Sequence, residues 1–130
     1  MLELKVITPT GTQLSTTVHS VTAPGNEGEF QVLPSHLPTL ALLGGGALKY
    51  ESESDAGQLF IRGGVAEVNP DGQVLILTEE VQNPENLDRD RADRIKTESE
   101  QALSAESYLN NAQFDRIHQD LAFAEAVLKA

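Results

Sequence analysis

Residues 23–40 have the sequence APGNEGEFQVLPSHLPTL, in which one short apolar run lies between glycine and proline turns. The Pro-Gly-Asn segment at 24–26 favours a chain reversal, because proline fixes its own φ and glycine accepts a positive φ. Residues 29–33 then predict a short strand. The prolines at 34 and 38 predict a stiff loop around His36. A turn, a strand and a rigid loop in this order are typical of an antiparallel β-domain.

Short apolar runs separated by glycine and proline turns continue on both sides of this stretch, from Met1 to about Asn83. Leu2, Leu4 and Val6 alternate with polar residues, which predicts a first strand with one buried face. Further strands are predicted at 18–23, 29–33, 39–43, 47–51, 58–61, 65–68 and 74–77. The triple glycine at 44–46 is expected to be a flexible link between two of them. Many short strands at close spacing predict a β-sandwich or a flattened barrel.

The composition changes after Asn83, because all ten glycines lie before it and Pro84 is the last proline. This change predicts two domains, residues 1–83 and 84–130. Helices are expected from Leu87 to about Ser107 and from about Gln113 to Lys129, separated by a break that includes Asn110 and Asn111. The predicted apolar stripes are Leu87, Ala92, Ile95, Ala102 and Leu103 on the first helix, and Phe114, Ile117, Leu121, Ala124 and Leu128 on the second.

The C-terminal segment is therefore predicted to be an antiparallel two-helix hairpin. Its apolar side chains are few for its length, so the hairpin is expected to be marginal when isolated. It should either dock on the β-domain or on another subunit, or exchange between positions.

The overall composition excludes several classes of protein. The chain has 130 residues, no cysteine and a formal net charge of −11. Disulfides and thiolate catalysis are therefore excluded, and general nucleic-acid binding is disfavoured because clustered Lys and Arg are lacking. No signal peptide is expected at the N-terminus, and no apolar segment approaches the roughly 20 residues of a membrane span. Partners should present basic or apolar surfaces.

No catalytic or metal site is predicted from the motifs. His19, His36 and His118 are scattered and lack the spacing of metal ligands. Ser35 precedes His36 in a proline-bracketed loop, and neighbours in sequence do not by themselves make a nucleophile and its base. The glycines at 44–46 lack the Gly-Lys-Ser or Gly-Lys-Thr of a phosphate-binding loop.

Residues 24–40 closely resemble the P-G-x-x-G-E-x-x-x-L-P-x-H-x-P-x-L signature of the epsilon subunits of F-type ATP synthases, whose mitochondrial counterpart is called delta. A second segment, residues 63–77, resembles the family's G-G-x-x-E-V block followed by a turn and a strand. With the order of a β-domain and then a helical hairpin, the likeness covers nearly the entire chain. It implies an antiparallel β-sandwich of about ten strands in two sheets, followed by the two-helix hairpin.

The resemblance also implies a function and partners. Such subunits are non-catalytic parts of the central stalk that link the gamma subunit to the ring of c subunits. By position, Gly28, Glu29 and Phe30 match the c-ring contact and His36 matches the gamma contact. A carboxylate at Glu29 would suit basic c-subunit loops. The C-terminal helices are expected to reach the alpha and beta subunits. The location implied is peripheral, on the cytoplasmic face of a bacterial inner membrane, without direct insertion.

Residues 87–92, LDRDRA, resemble the L-D-x-x-R-A motif with which some epsilon subunits bind ATP. No cofactor is implied as a requirement, but ATP is implied as a regulatory ligand that holds the hairpin folded, and its loss permits an extended, inhibitory form. The candidate ATP-binding residues are Leu87, Asp88, Arg91 and Ala92. The second helix departs from the pattern, because Ala122, Phe123 and Val127 stand where ATP-binding members have basic residues. The alternative is a capped helix start with Asp and Arg pairs.

Two rival functions are considered. One is a stand-alone sandwich that binds a small ligand or carbohydrate and oligomerises through its helical tail. The absence of tryptophan and the presence of only two tyrosines disfavour it, because such binding faces usually expose aromatic rings. The other is an enzyme built on His36, Glu67 and Asp71, which would need a polar cleft that no sequence pattern indicates.

Overall fold

The computed structural model describes residues 1–35, 37–105 and 109–130. Eight strands precede two helices, with one 3₁₀ turn at Pro84–Asn86 between them. The strands are β1 Leu2–Thr8, β2 Gly11–Val18, β3 Ser20–Gly25, β4 Gly28–Val32, β5 Thr39–Glu51, β6 Ala56–Val68, β7 Gln73–Leu77 and β8 Val81–Gln82. The helices are α1 Arg89–Ser104 and α2 Asn111–Lys129.

The strands β5 and β6 form a long antiparallel hairpin that belongs to both layers of a sandwich. Each is 13 residues long, and Thr39 pairs with Val68 at one end while Glu51 pairs with Ala56 at the other. One layer contains β2, β1, β7, the second half of β6 and the first half of β5. The other contains β4, β3, the second half of β5, the first half of β6 and β8. The predicted β-sandwich followed by a helical hairpin is confirmed, with its ten strand segments arranged as two layers of five.

Alternating apolar side chains form the core between the layers. Leu2, Leu4 and Val6 are all buried on one face of β1, as their spacing predicts. Leu59 and Ile61 face the same core from β6, whereas Phe60 between them points to the opposite face of its layer. The outer face around Phe60 is therefore apolar and requires a cover.

Several features of the sandwich differ from the sequence prediction: the predicted strands at 58–61 and 65–68 are one strand, β6, and the short strand β8 was not predicted. Strand β2 was also not predicted, because its sequence GTQLSTTV contains few apolar residues, although Leu14 and Val18 do pack on the core and its backbone pairs with β1 at the edge of the sheet. The triple glycine at 44–46 is not a flexible link. It continues β5 without a break, so the two predicted strands at 39–43 and 47–51 are one.

The helical hairpin covers the sandwich, with α2 against β5 and β6 and with α1 packed on α2. Asn110 was expected to end the first helix, but its side chain accepts a hydrogen bond from the backbone N–H of Gln113 and so begins α2 in a capping box. Of the predicted break at residues 106–112, residues 106–108 lie outside the described residues, and Asn111 and Ala112 belong to α2. Within the described ranges, neither helix is both long enough and apolar enough to cross a membrane.

Candidate functional site

The backbone of α2 lies directly on the glycine segment of β5. A Cβ atom added to Gly45 would lie 2.6 Å from the backbone nitrogen of Phe123 and would overlap the carbonyl oxygen of Gln119. Real Cβ atoms do not approach other atoms this closely, so the position requires glycine. Gly45, which was expected to lie in a flexible link, is thus the position on which α2 packs.

A small apolar cluster fills the space between the helices and the sandwich. It consists of Phe60 from β6, Ala92 and Ile95 from α1, and Phe123, Ala124 and Val127 from α2. Phe123 is fully buried, whereas Phe114 is 48% exposed. The predicted apolar stripe of α2 is therefore wrong in part, because the helix packs on both the sheet and α1 and turns a different arc of its surface inward.

A chain of ion pairs runs beside this cluster and joins the helical hairpin to the sandwich. The guanidinium of Arg91 donates two hydrogen bonds to the carboxylate of Glu80, each 2.6 Å long. Arg62 donates to the same carboxylate at 3.1 Å and to Asp120 at 2.7 Å. Arg116 extends the chain, because it pairs with Asp120 at 3.3 Å and with Glu79.

The environment of Glu80 keeps its carboxylate ionised. The hydrogen bonds from Arg91 lower the pKa of Glu80 below its ordinary value of 4.5, against the opposing effect of burial. The hydrogen bond to Asp120 raises the pKa of Arg62. Sequence reasoning missed this group, because Arg62 and Asp120 stand 58 positions apart and only the tertiary fold brings them together.

The four candidate ATP-binding residues come together at the start of α1, but each has a structural partner there. The carboxylate of Asp88 accepts a hydrogen bond of 3.0 Å from the backbone N–H of Arg91 and so caps the helix. The side chain of Arg91 is held by Glu80, while Ala92 is buried in the apolar cluster and Leu87 packs at its edge. The capped helix start is observed, and the binding of ATP stays a prediction.

The predicted c-ring contact lies at the start of β4, directly after the exposed Asn26–Glu27 turn of the β3–β4 hairpin. Gly28 opens β4 with a φ of 130°, which allows the tight reversal from Gly25. Glu29 is exposed, and the half-buried ring of Phe30 packs against the sandwich core. His36, the predicted gamma contact, lies outside the described residues.

An apolar row remains uncovered on the outer face of the other layer. Leu42 pairs with Val65 and Val65 pairs with Leu77, so the three side chains form a line across β5, β6 and β7. Leu42 is 64% exposed, Leu77 is 44% exposed, and Leu40, further along β5, is 73% exposed. An exposed apolar face of this kind is typical of a protein interface. We call the face formed by Leu40, Leu42, Val65 and Leu77 the leucine face.

The comparisons with known proteins agree on one family. A family model described as "ATP synthase, Delta/Epsilon chain, beta-sandwich domain" matches residues 1–84. The ATP synthase epsilon chain of Nitratidesulfovibrio vulgaris is 44% identical over 103 residues, which cover 79% of this chain and 76% of that protein. The ATP synthase epsilon chain of Syntrophobacter fumaroxidans is 38% identical over 128 residues, which cover 98% of this chain and 93% of the relative.

Solved structures show the same likeness. A chain of the Euglena gracilis mitochondrial ATP synthase superposes with a TM-score of 0.74 at 27% identity. The match covers 97% of this chain and 78% of the Euglena chain. A chain from the central stalk and c-ring of the Tetrahymena thermophila enzyme superposes with a TM-score of 0.65, but at 17% identity it supports the fold alone. From the sandwich, the docked hairpin and these matches, the chain belongs to the ATP synthase delta/epsilon chain family.

Proposed function

We propose that this chain is the non-catalytic epsilon subunit of an F-type ATP synthase, a part of the central stalk that links the gamma subunit to the c ring. The observation that carries the proposal is the leucine face, which a free-standing domain has no reason to expose and which a rotor subunit would cover. Through these partners the chain would be held peripherally on the cytoplasmic face of a bacterial inner membrane. The rival ligand-binding function has no support in the comparisons.

The leucine face is proposed as the surface that meets gamma. It lies on the layer that is not covered by the helical hairpin, and β5 enters it directly after the loop that carries His36. Leu37, at 79% exposed, adds apolar surface to the same end of the strand. His36 precedes β5 by only a few residues in the sequence, so we propose that it and the leucine face meet gamma together.

Replacing Leu42 with glutamate should weaken the complex with gamma by at least about tenfold, because it removes a buried leucine from the interface, worth about 1.5 to 3 kcal/mol, and adds a charge there. Co-purification of tagged gamma with each variant, at matched concentrations, measures the effect. Phe114→Glu is the control, since it makes a similar change at an exposed apolar site on the hairpin. Native retention of Leu42→Glu on gamma would contradict the assignment.

Gly28, Glu29 and Phe30 are proposed as the c-ring contact. They begin β4 directly after the hairpin turn, and the exposed carboxylate of Glu29 suits basic loops on a membrane-embedded partner.

Charge reversal by Glu29→Lys should reduce ATP-driven proton pumping in reconstituted membranes while leaving the binding of gamma intact. The physical reason is that a lysine would repel basic c-subunit loops at the contact. Glu53→Lys, in the β5–β6 turn at the opposite end of the same layer, makes the same charge change away from the β3–β4 turn. Equal pumping by both variants and the native protein would show that Glu29 does not face the c ring.

Regulation by the hairpin is the remaining part of the proposal. Its helices would contact the alpha and beta subunits when they leave the sandwich. ATP, as a regulatory ligand at Leu87, Asp88, Arg91 and Ala92, would have to replace Glu80 as the partner of Arg91. No metal or further cofactor is proposed.

A further inference from the structure

Four charged side chains that are separated in sequence form one connected group at the junction of the helical hairpin and the sandwich. Arg62 and Glu80 belong to the sandwich, whereas Arg91 belongs to α1 and Asp120 to α2. Two of the three links, Arg91 to Glu80 and Asp120 to Arg62, cross from the hairpin to the sandwich. Each helix of the hairpin is therefore tied to the sandwich by its own ion pair, and both ties meet at the internal pair of Arg62 and Glu80.

The geometry of this group is that of strong ion pairs. Glu80 uses both carboxylate oxygens on the Arg91 guanidinium, which is the bidentate arrangement that fixes orientation as well as distance. The side chains of Arg62 and Asp120 are each 16% exposed and that of Glu80 is 18% exposed, so solvent screens them less than a surface pair.

We propose that Arg62, Glu80, Arg91 and Asp120 form a charge clasp that holds the hairpin on the sandwich without any ligand. Glu80 is its centre, because it supplies Arg91 with the anionic partner that the phosphate of a bound nucleotide would otherwise supply. Docking of the hairpin in this chain is then a property of its own side chains.

The hairpin can also undock without leaving a buried charge unpaired. When the hairpin leaves, Arg62 and Glu80 still pair with each other on the sandwich. On the hairpin, Asp120 keeps Arg116 as its neighbour one helical turn away, and Arg91, already 44% exposed, enters water. Since no buried charge loses every partner, release avoids the main penalty for breaking an internal ion pair. The clasp thus favours reversible docking over a permanent attachment.

Hydrogen exchange of the intact chain in the absence of nucleotide tests the clasp. In Glu80→Gln, amides in residues 89–104 and 111–130 should exchange at least about tenfold faster than in the native protein, because the α1 tie loses its carboxylate charge and Arg62 loses one of its two anionic partners. Amides of β1 should keep their native rates. The matched control is Glu79→Gln, since that neighbouring carboxylate is 48% exposed and pairs only with Arg116 within the described residues.

A second variant controls for the possibility that Glu80→Gln destabilises the sandwich itself. Asp120→Asn removes the α2 tie by a substitution in the hairpin, so the sequence of the sandwich is unchanged. It should speed exchange in residues 111–130. The proposal is overturned if both Glu80→Gln and Asp120→Asn exchange at native rates, or if Glu79→Gln speeds exchange as much as Glu80→Gln. A loss of protection in β1 of Glu80→Gln alone leaves Asp120→Asn as the deciding measurement.

Discussion

Gly45→Ala is expected to separate the hairpin from the sandwich while the sandwich stays folded. The added methyl group would overlap the carbonyl oxygen of Gln119 and lie 2.6 Å from the backbone nitrogen of Phe123. Both are backbone atoms of a helix, so they cannot move aside by a rotamer change, and α2 must shift as a whole. Overpacking of this kind costs about 1 to 3 kcal/mol or more, which is large for a hairpin of marginal stability.

Small-angle X-ray scattering measures the result as an increase in the radius of gyration. Amide NMR shifts should change for Ala47 and Phe60 beneath the hairpin and persist in β1. Gly44→Ala is the matched control, because a Cβ at that position would find its nearest neighbour, the carbonyl oxygen of Gly25, at an ordinary 3.6 Å. A compact Gly45→Ala protein, or equal expansion in both variants, would refute the close seating of α2.

Phe123→Ala is expected to have the second large effect. Phe123 is fully buried between the helices and the sheet, and removing such a ring costs about 3 to 5 kcal/mol because it loses the transfer free energy and leaves a cavity. This loss falls on the docked hairpin, since the ring is outside the sandwich core. We expect the helical signal in circular dichroism to disappear at a lower urea concentration than the β signal.

The exposed aromatic residue of the same helix provides the control. Phe114→Ala should stay within about 0.5 kcal/mol of the native free energy of unfolding, because surface substitutions change little. Among the described aromatic pairs, its ring contacts only that of His118, in a tilted arrangement with 4.3 Å between centroids. Unchanged urea midpoints for Phe123→Ala would mean that the apolar cluster does not hold the hairpin.

Local chemistry made the sandwich and the helices predictable. The alternation of Leu2, Leu4 and Val6 is a property of neighbouring residues, and a pleated strand converts it directly into a buried face. The same holds for the acidic start of α1, where Asp88 acts as the cap. Patterns of this kind depend only on neighbouring residues, so they can be recognised from the sequence without knowing the fold.

The details of the docking interface depend on distant parts of the chain and were therefore missed. A glycine in a strand has the same sequence pattern whether it forms a link or supports a helix, and only the presence of α2 distinguishes the two for Gly45. The buried side of α2 was misassigned for a related reason. Phe123 is buried because α2 packs against the sheet and α1 at the same time, and the sequence of α2 alone does not show this. Likewise, nothing near Arg62 in sequence indicates that Asp120 will be its partner.

The parallel pairing of β1 with β7 places constraints on how the protein is made. Glu3 stands opposite Gln73, so β1 leaves the ribosome well before β7, its second neighbour in the sheet. Contacts of such long sequence separation form slowly, since the intervening chain must be closed into a loop first. The helical hairpin follows the strands in the chain, so it can dock after the sandwich has been synthesised. The sandwich must form its long-range β1–β7 pairing once, during folding. The hairpin, which is synthesised after the strands, can dock on the folded sandwich and dissociate repeatedly.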